Sequence, residues 1–181
     1  FWLIAIGTVS ILFGIGYSAG SRSLSARGLG ELVAFIFLGF VVTTIAYVVQ
    51  VHRLDVQIIA VAVPFAILIS IMILSNNIRD IEKDQGFRHT LVMIIGRKKG
   101  TQLLSILLAI PYLWTIGLAS FHVIPWASIM ALFALPLAIK LRYSYRKGAN
   151  RSEEIKGMKW ASWHHWVFSL LFIIGMMWPL I

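Results

Sequence analysis

The sequence predicts an all-α fold, a multi-pass bundle of transmembrane helices, on three observations. The 181 residues are 59% hydrophobic and 13% charged, with a mean hydropathy of +0.86, whereas a typical soluble chain is about 25% charged. The apolar residues gather in six segments, each near the roughly 20 residues that a helix needs to cross a bilayer core. Of the 16 Lys and Arg, 15 fall in alternate connections between those segments and only Arg53 falls elsewhere.

In order, the six spans are residues 1–17, 32–49, 56–74, 102–121, 123–139 and 160–181. Gly7, Gly14 and Gly16 in the first read as close helix packing. Pro64, Pro111 and Pro136 fall inside spans, where the missing backbone donor tends to kink a helix and neighbouring helices satisfy the freed groups. The second and fourth connections are only a few residues long. The first, third and fifth, residues 18–31, 75–101 and 140–159, share one side and carry 2, 6 and 7 of the Lys and Arg. That basic side is expected to be cytoplasmic. His52, Arg53 and Asp55 read as a short external turn. His164 and His165, flanked by Trp160, Trp163 and Trp166, read as part of an interfacial aromatic belt.

Composition also removes function classes. The net charge of +9 is divided among membrane loops rather than gathered on a soluble module, so the partner is a lipid bilayer and not nucleic acid. There is no cysteine, which excludes disulfides and thiol catalysis. Residues 1–181 read as a single transmembrane domain. The chain opens inside an apolar run at Phe1, without a methionine or the charged start of a signal peptide, and reads as N-terminally truncated.

Chemistry concentrates in residues 74–97, LSNNIRDIEKDQGFRHTLVMIIGR. Three of the seven acidic residues, Asp80, Glu82 and Asp84, fall within five positions there. On a helix, Asn76, Asp80 and Asp84 share one face at successive i,i+4 steps. Two carboxylates so placed suit magnesium, which takes one or two protein carboxylates and completes its shell with water and substrate phosphate. A charged loop between two membrane helices is the plainer account of the same residues. Arg79, Lys83, Arg88 and the Arg97, Lys98, Lys99 cluster supply the cations that a metal diphosphate also needs. Gly86 is expected to end the helix after Asp84 and turn Arg88 back. On the same face, residues 17–31, YSAGSRSLSARGLGE, read either as a flexible loop or as a phosphate cradle with Gly20 and Arg22.

The run NNIRDIEKD at 76–84, followed by Thr90-Leu91 and Gly96-Arg97, resembles the second aspartate-rich motif of the UbiA superfamily of intramembrane prenyltransferases. It is most similar to the 1,4-dihydroxy-2-naphthoate polyprenyltransferase branch. The Tyr-Ser-x-Gly opening at Tyr17 and the Arg-Gly-Leu-Gly-Glu run at 27–31 resemble the corresponding loop of that branch. Ser21 stands where the branch often has proline, and the first aspartate motif is absent.

The resemblance implies a nine-helix fold in which the six spans are the fourth to the ninth. It implies a Mg2+-dependent enzyme that transfers a polyprenyl group from polyprenyl diphosphate to 1,4-dihydroxy-2-naphthoate. The ring carboxylate is lost and a demethylmenaquinone precursor results, at a bacterial plasma membrane. Asp80 and Asp84 would be catalytic and bind magnesium with Asn76 and Asn77. Arg79, Lys83, Arg88 and Arg22 would take the diphosphate or the acceptor carboxylate, and Tyr17 would line the acceptor pocket. The alternatives are a prenyltransferase of the same superfamily with another acceptor, or a transporter using Asp80 and Asp84 as an ion site. A transporter is expected to carry ionisable groups near the bilayer midplane, and these spans are almost free of them.

Overall fold

A computed structural model describes residues 2–20 and 23–178. Six long helices run in chain order: α1 (Trp2–Ser18), α2 (Gly30–Val51), α3 (Val56–Arg79), then, after two short helices α4 (Ile81–Asp84) and α5 (Leu91–Ile95), α6 (Arg97–Ser120), α7 (Trp126–Ser144) and α8 (Arg151–Met177). No strand occurs among the described residues. Helices α2, α3, α6 and α7 are long and apolar enough to cross a membrane. The two outer predicted spans differ. Helix α1 is short for a crossing at 17 residues, and α8, at 27, interrupts its apolar stretch with the polar run around His164 and His165.

Most helices continue past the predicted ends, because helix geometry outlasts the apolar run. Helix α3 carries on through Ser75, Asn76 and Asn77 to Arg79, and α6 begins at the basic cluster itself. Helix α8 starts nine residues earlier than position 160, where Asn150 and Glu153 form a reciprocal cap. The Glu153 amide donates to Asn150 Oδ1 at 2.9 Å, and the Asn150 amide donates to Glu153 Oε2 at 2.9 Å. That arrangement satisfies two otherwise orphaned donors. Pro136 is not a mid-helix kink. It lies where the 3-10 half of α7 at Trp126–Ala134 gives way to the α-helical half at Leu135–Ser144.

Helix α3 is the centre of the bundle and packs against α2, α6 and α8. Its Leu68, Ile71, Leu74 and Ile78 meet Leu104 and Leu108 of α6 and Phe168 and Phe172 of α8 in one core. Phe172 meets the edge of Phe65, with ring centroids 5.3 Å apart. Close approach is bought by small residues. The middle of α2 is wound as a π-helix over Ala34–Val41, and a Cβ at Gly39 would strike the backbone of Ala66 in α3. Gly175 of α8 likewise meets the backbone of Ala127 and Ser128 in α7. Ile11, Leu113, Phe133, Trp166 and Leu170 point outward, an apolar exterior suited to lipid and not to water.

His164 corrects the reading of the histidine pair. It is fully buried, and its Nε2 is 2.7 Å from the Tyr112 hydroxyl. Only Trp163 and Trp166 of that run face outward, because successive helical residues differ by about 100°.

Gly39→Ala is expected to lower stability by about 1–3 kcal/mol, since α2 and α3 must separate. Gly117→Ala, with nothing in reach of the new methyl, should stay within about 0.5 kcal/mol. Thermal unfolding of both variants in detergent measures the difference.

Candidate functional site

The two motif-bearing loops fold together. The His89 amide in the third connection donates to the Ala26 carbonyl in the first at 2.9 Å. Below that contact Asn77 Nδ2 donates to Glu31 Oε1 at 2.9 Å, and Ser70 Oγ donates to the Glu31 carbonyl at 2.9 Å. Glu31 is buried, and its Oε2 has no hydrogen-bond partner among the described residues. Tyr17, at the end of α1, lies close enough to Glu31 and Arg88 to feel both charges. It stands at the loop end of an apolar cavity of about 470 Å³ between α1 and α2, lined by Gly14, Phe37, Val41 and Ile45 among others.

Asp80 is where α3 ends, and its backbone leaves helical geometry at φ −102°, ψ 14°. The i→i+4 bonding nevertheless continues across the break. The Asp80 amide donates to Asn76 O at 3.0 Å and the Asp84 amide to Asp80 O at 2.9 Å, so Asn76, Asp80 and Asp84 follow successive turns. Gly86 then turns the chain with φ +82°, and the amides of Phe87 and Arg88 donate to Asp84 O at 3.1 and 3.0 Å.

The Asp80 carboxylate is held by two arginines. Arg79 donates through Nε to Oδ1 at 2.9 Å and through a terminal nitrogen to Oδ2 at 2.5 Å. Arg79 also binds Asn76 Oδ1. Arg151, from the start of α8, reaches Asp80 Oδ1 at 3.3 Å and binds the Arg79 carbonyl. Beyond it Arg151 and Arg97 share Glu154, and Arg97 donates to the Ile78 carbonyl at 3.2 Å. One charged lattice therefore ties the end of α3 to the starts of α6 and α8. The hydrogen bond from Arg79 holds the Asp80 carboxyl below its ordinary pKa, with the charges of Arg79 and Arg151 aiding and burial opposing. The Tyr145 hydroxyl, buried beside this lattice with no partner among the described residues, is pushed up by burial and stays protonated. The lattice borders a basic cavity of about 930 Å³ that Lys98, Arg142, Arg146 and Lys147 also line.

Of the residues singled out from sequence, Asn76, Arg79, Asp80 and Asp84 lie together, while Asn77 is turned to Glu31. Lys83 and Arg88 are exposed. Arg22 and Ser21 lie outside the described residues. The donors here, the carboxylates of Asp80 and Asp84 and the Asn76 amide oxygen, are the hard oxygens that magnesium prefers, and arginines engage those of Asp80 and Asn76. Among the described residues no three His, Cys, Asp or Glu side chains gather into a metal site. Two carboxylates are as many as magnesium commonly takes from protein, the rest of its shell being water and phosphate.

The profile of the UbiA prenyltransferase family matches residues 1–163. The chain belongs to that family. It is 34% identical to the 1,4-dihydroxy-2-naphthoate octaprenyltransferase of Bacillus subtilis, over 97% of this chain and 57% of the relative. It is 30% identical to the protein of the same name from Haemophilus influenzae, over 77% of this chain and 46% of the relative. The UbiA prenyltransferase domain-containing protein 1 of Gallus gallus is 36% identical over 65% of this chain and 35% of its own length. The chain thus spans about half the length of the UbiA relatives named first. No solved structure matches it.

Sequence reading missed Glu31, Tyr145, Arg151 and Glu154 as members of the site. Two signals were available. Glu31 is an acid at the head of an apolar run, and the Asn150-to-Glu153 spacing of a capping box starts α8 where Arg151 can reach Asp80.

Asp80 anchors two predictions. Its Arg79 partner is 23% exposed and its Arg151 partner 54%, so Arg79→Gln should cost about 3 kcal/mol and Arg151→Gln under about 1 kcal/mol in detergent unfolding. A lowered pKa means that the stabilisation by ionised Asp80 is complete above the ordinary aspartate value and is lost as pH falls through the lowered one. The Tm gap between the protein and Asp80→Asn should therefore stay flat from pH 8 to about 4 and close only below that.

Proposed function

We propose that this chain forms the part of an intramembrane prenyltransferase that grips a polyprenyl diphosphate and delivers its allylic carbon to 1,4-dihydroxy-2-naphthoate. The observation that carries this reading is the Asp80, Arg79 and Arg151 lattice at the edge of a basic cavity of about 930 Å³. The lattice supplies phosphate-binding cations beside hard carboxylates, and the separate apolar cavity that ends at Tyr17 offers a space suited to an isoprenoid chain. The names of the bacterial relatives support the acceptor, and the basic bias of the motif face supports a cytoplasmic site in a bacterial plasma membrane.

In the reaction the C–O bond to the diphosphate breaks, and its electron pair leaves with the diphosphate. The ring carbon bearing the carboxylate forms the new C–C bond. The carboxylate departs as carbon dioxide, leaving its electron pair to restore the aromatic ring. Magnesium, on which UbiA prenyltransferases in general depend, would supply positive charge to the diphosphate oxygens. Asp80 and Asp84 would hold it, with Asn76 beside them and Asn77 positioned by Glu31. Arg151 turns its planar fork to phosphate oxygens, where charge grows as the bond breaks, and Arg79 adds its charge from its place on Asp80. Tyr145 offers a protonated hydroxyl to the same oxygens, and Lys83, Arg88 and Arg22 are further cations for the diphosphate or the acceptor carboxylate. Tyr17 lines the acceptor end. The apolar cavity between α1 and α2 takes the isoprenoid chain and keeps water from the developing cation.

The test is an assay of the full-length protein with magnesium, a polyprenyl diphosphate and 1,4-dihydroxy-2-naphthoate, read by mass spectrometry. Prenylated, decarboxylated product that disappears on chelation is the expected result. Asp80→Asn and Asp84→Asn should each lower kcat by roughly 10²-fold or more while the protein still folds. Product with another aromatic acceptor in place of the naphthoate would keep the chemistry and overturn the acceptor. Full activity in Asp80→Asn would overturn the site.

A further inference from the structure

A second lipid-facing feature lies between α6 and α7, and its polar end, Arg142 and Arg146, is shared with the basic cavity beside the Asp80 lattice. An open groove of about 360 Å³ runs along Leu108, Ala109, Leu135 and Ile139 and ends at Arg142 and Arg146. Its walls are apolar until the arginines. Arg142 is fixed through Nε, which donates to Ser105 Oγ. Its two terminal NH2 groups have no protein acceptor among the described residues, so a held guanidinium fork at the end of the groove is left unused. Arg146 lies over the Tyr143 ring, 3.8 Å from its centroid, and one terminal nitrogen binds Glu153 Oε1 at 2.6 Å. Beside them Lys140 and Lys159 stand over the Trp160 ring at 4.8 and 5.5 Å. Indole and ammonium groups paired in this way mark the headgroup level of a bilayer.

We propose that this groove binds an anionic phospholipid from the leaflet on the basic face, with one acyl chain along the apolar floor and its phosphate on Arg142 and Arg146. Each end of the groove selects part of the ligand. The apolar length favours an amphiphile over free phosphate, since burying each methylene contributes about 0.8 kcal/mol. The unused Arg142 fork matches two phosphate oxygens, and the surrounding excess of Lys and Arg favours net negative charge over a zwitterion. The apolar floor belongs to this groove and not to the basic cavity, so a variant at Ala109 tests the groove apart from the prenyl-transfer reading.

The experiment is native mass spectrometry of the full-length protein, delipidated in detergent and offered phosphatidylglycerol or phosphatidylcholine of the same acyl composition. Phosphatidylglycerol should be retained preferentially. Arg142→Gln should reduce its retention about five- to tenfold. Ala109→Trp, which fills the groove and leaves every cation in place, should reduce it as well, whereas Arg53→Gln on the opposite face should not. Unfolding curves in the same detergent identify any variant that fails to fold, and the groove is then judged on the other. Equal retention of the two lipids, or unchanged retention in both folded groove variants, overturns the proposal. Stoichiometric displacement of phosphatidylglycerol by a prenyl diphosphate overturns it too, and assigns the groove to the donor.

Discussion

The ion pair between Asp80 and Arg79 is the constraint around which this half of the molecule is arranged. A carboxylate whose side chain is 10% exposed at the edge of an apolar bundle cannot stay ionised alone, because desolvation of an unpaired charge costs several kcal/mol. Arg79 answers with two hydrogen bonds to it. Holding Arg79 in that pose in turn uses Asn76, and the two further carbonyls at the end of α3 draw in Arg151 and Arg97 from other helices. The orphan acceptors that every helix C-terminus leaves are here met by cations. The polar site and the helix packing are consequently one construction.

The bilayer sets the second constraint. In hydrocarbon, backbone groups must be satisfied within helices, and helices attract each other mainly by close packing. That is why the contacts of α2 with α3 and of α8 with α7 fall at Gly39 and Gly175, where backbones approach directly. It also confines long charged side chains to the loop face, where they cover the site. The asymmetry of charge that reveals topology in the sequence is therefore the same charge that makes the loop face a place for phosphate.

Much of this was legible in the sequence because it resides in residue type and short spacing. The span positions follow from apolar runs, and the Asn76, Asp80, Asp84 alignment survives because i→i+4 bonding persists through a helix break at Asp80. The turn at Gly86 was legible for a like reason. What was not legible depends on partners distant in sequence. Nothing local to Arg151 says that it reaches Asp80 across 71 positions, and Glu31 gains its place only once Asn77 lies opposite. Helix ends were misplaced at α3, α6 and α8, since hydropathy falls at the first charge while capping and backbone bonding carry the helix into the interface. His164 was misread for a related reason: one hydrogen bond to Tyr112 makes a polar ring acceptable in the core, and hydropathy does not see hydrogen bonds.

The occupied state of Asp80 bears directly on the proposed reaction. A carboxylate bound by two arginines has little left for a cation, so on the proposed reading one of them would have to give way. Arg79 is the harder to move, since it is the more buried of the two and also holds Asn76. Arg151 is half exposed, sits at a longer 3.3 Å, and stands on a helix start next to a second carboxylate, Glu154. Its pair with Asp80 is therefore the weaker of the two, and the freed guanidinium would remain at the edge of the basic cavity. On the proposed reading Arg79 and Arg151 would divide two opposed tasks, one keeping the carboxylate ionised and placed and the other yielding to substrate.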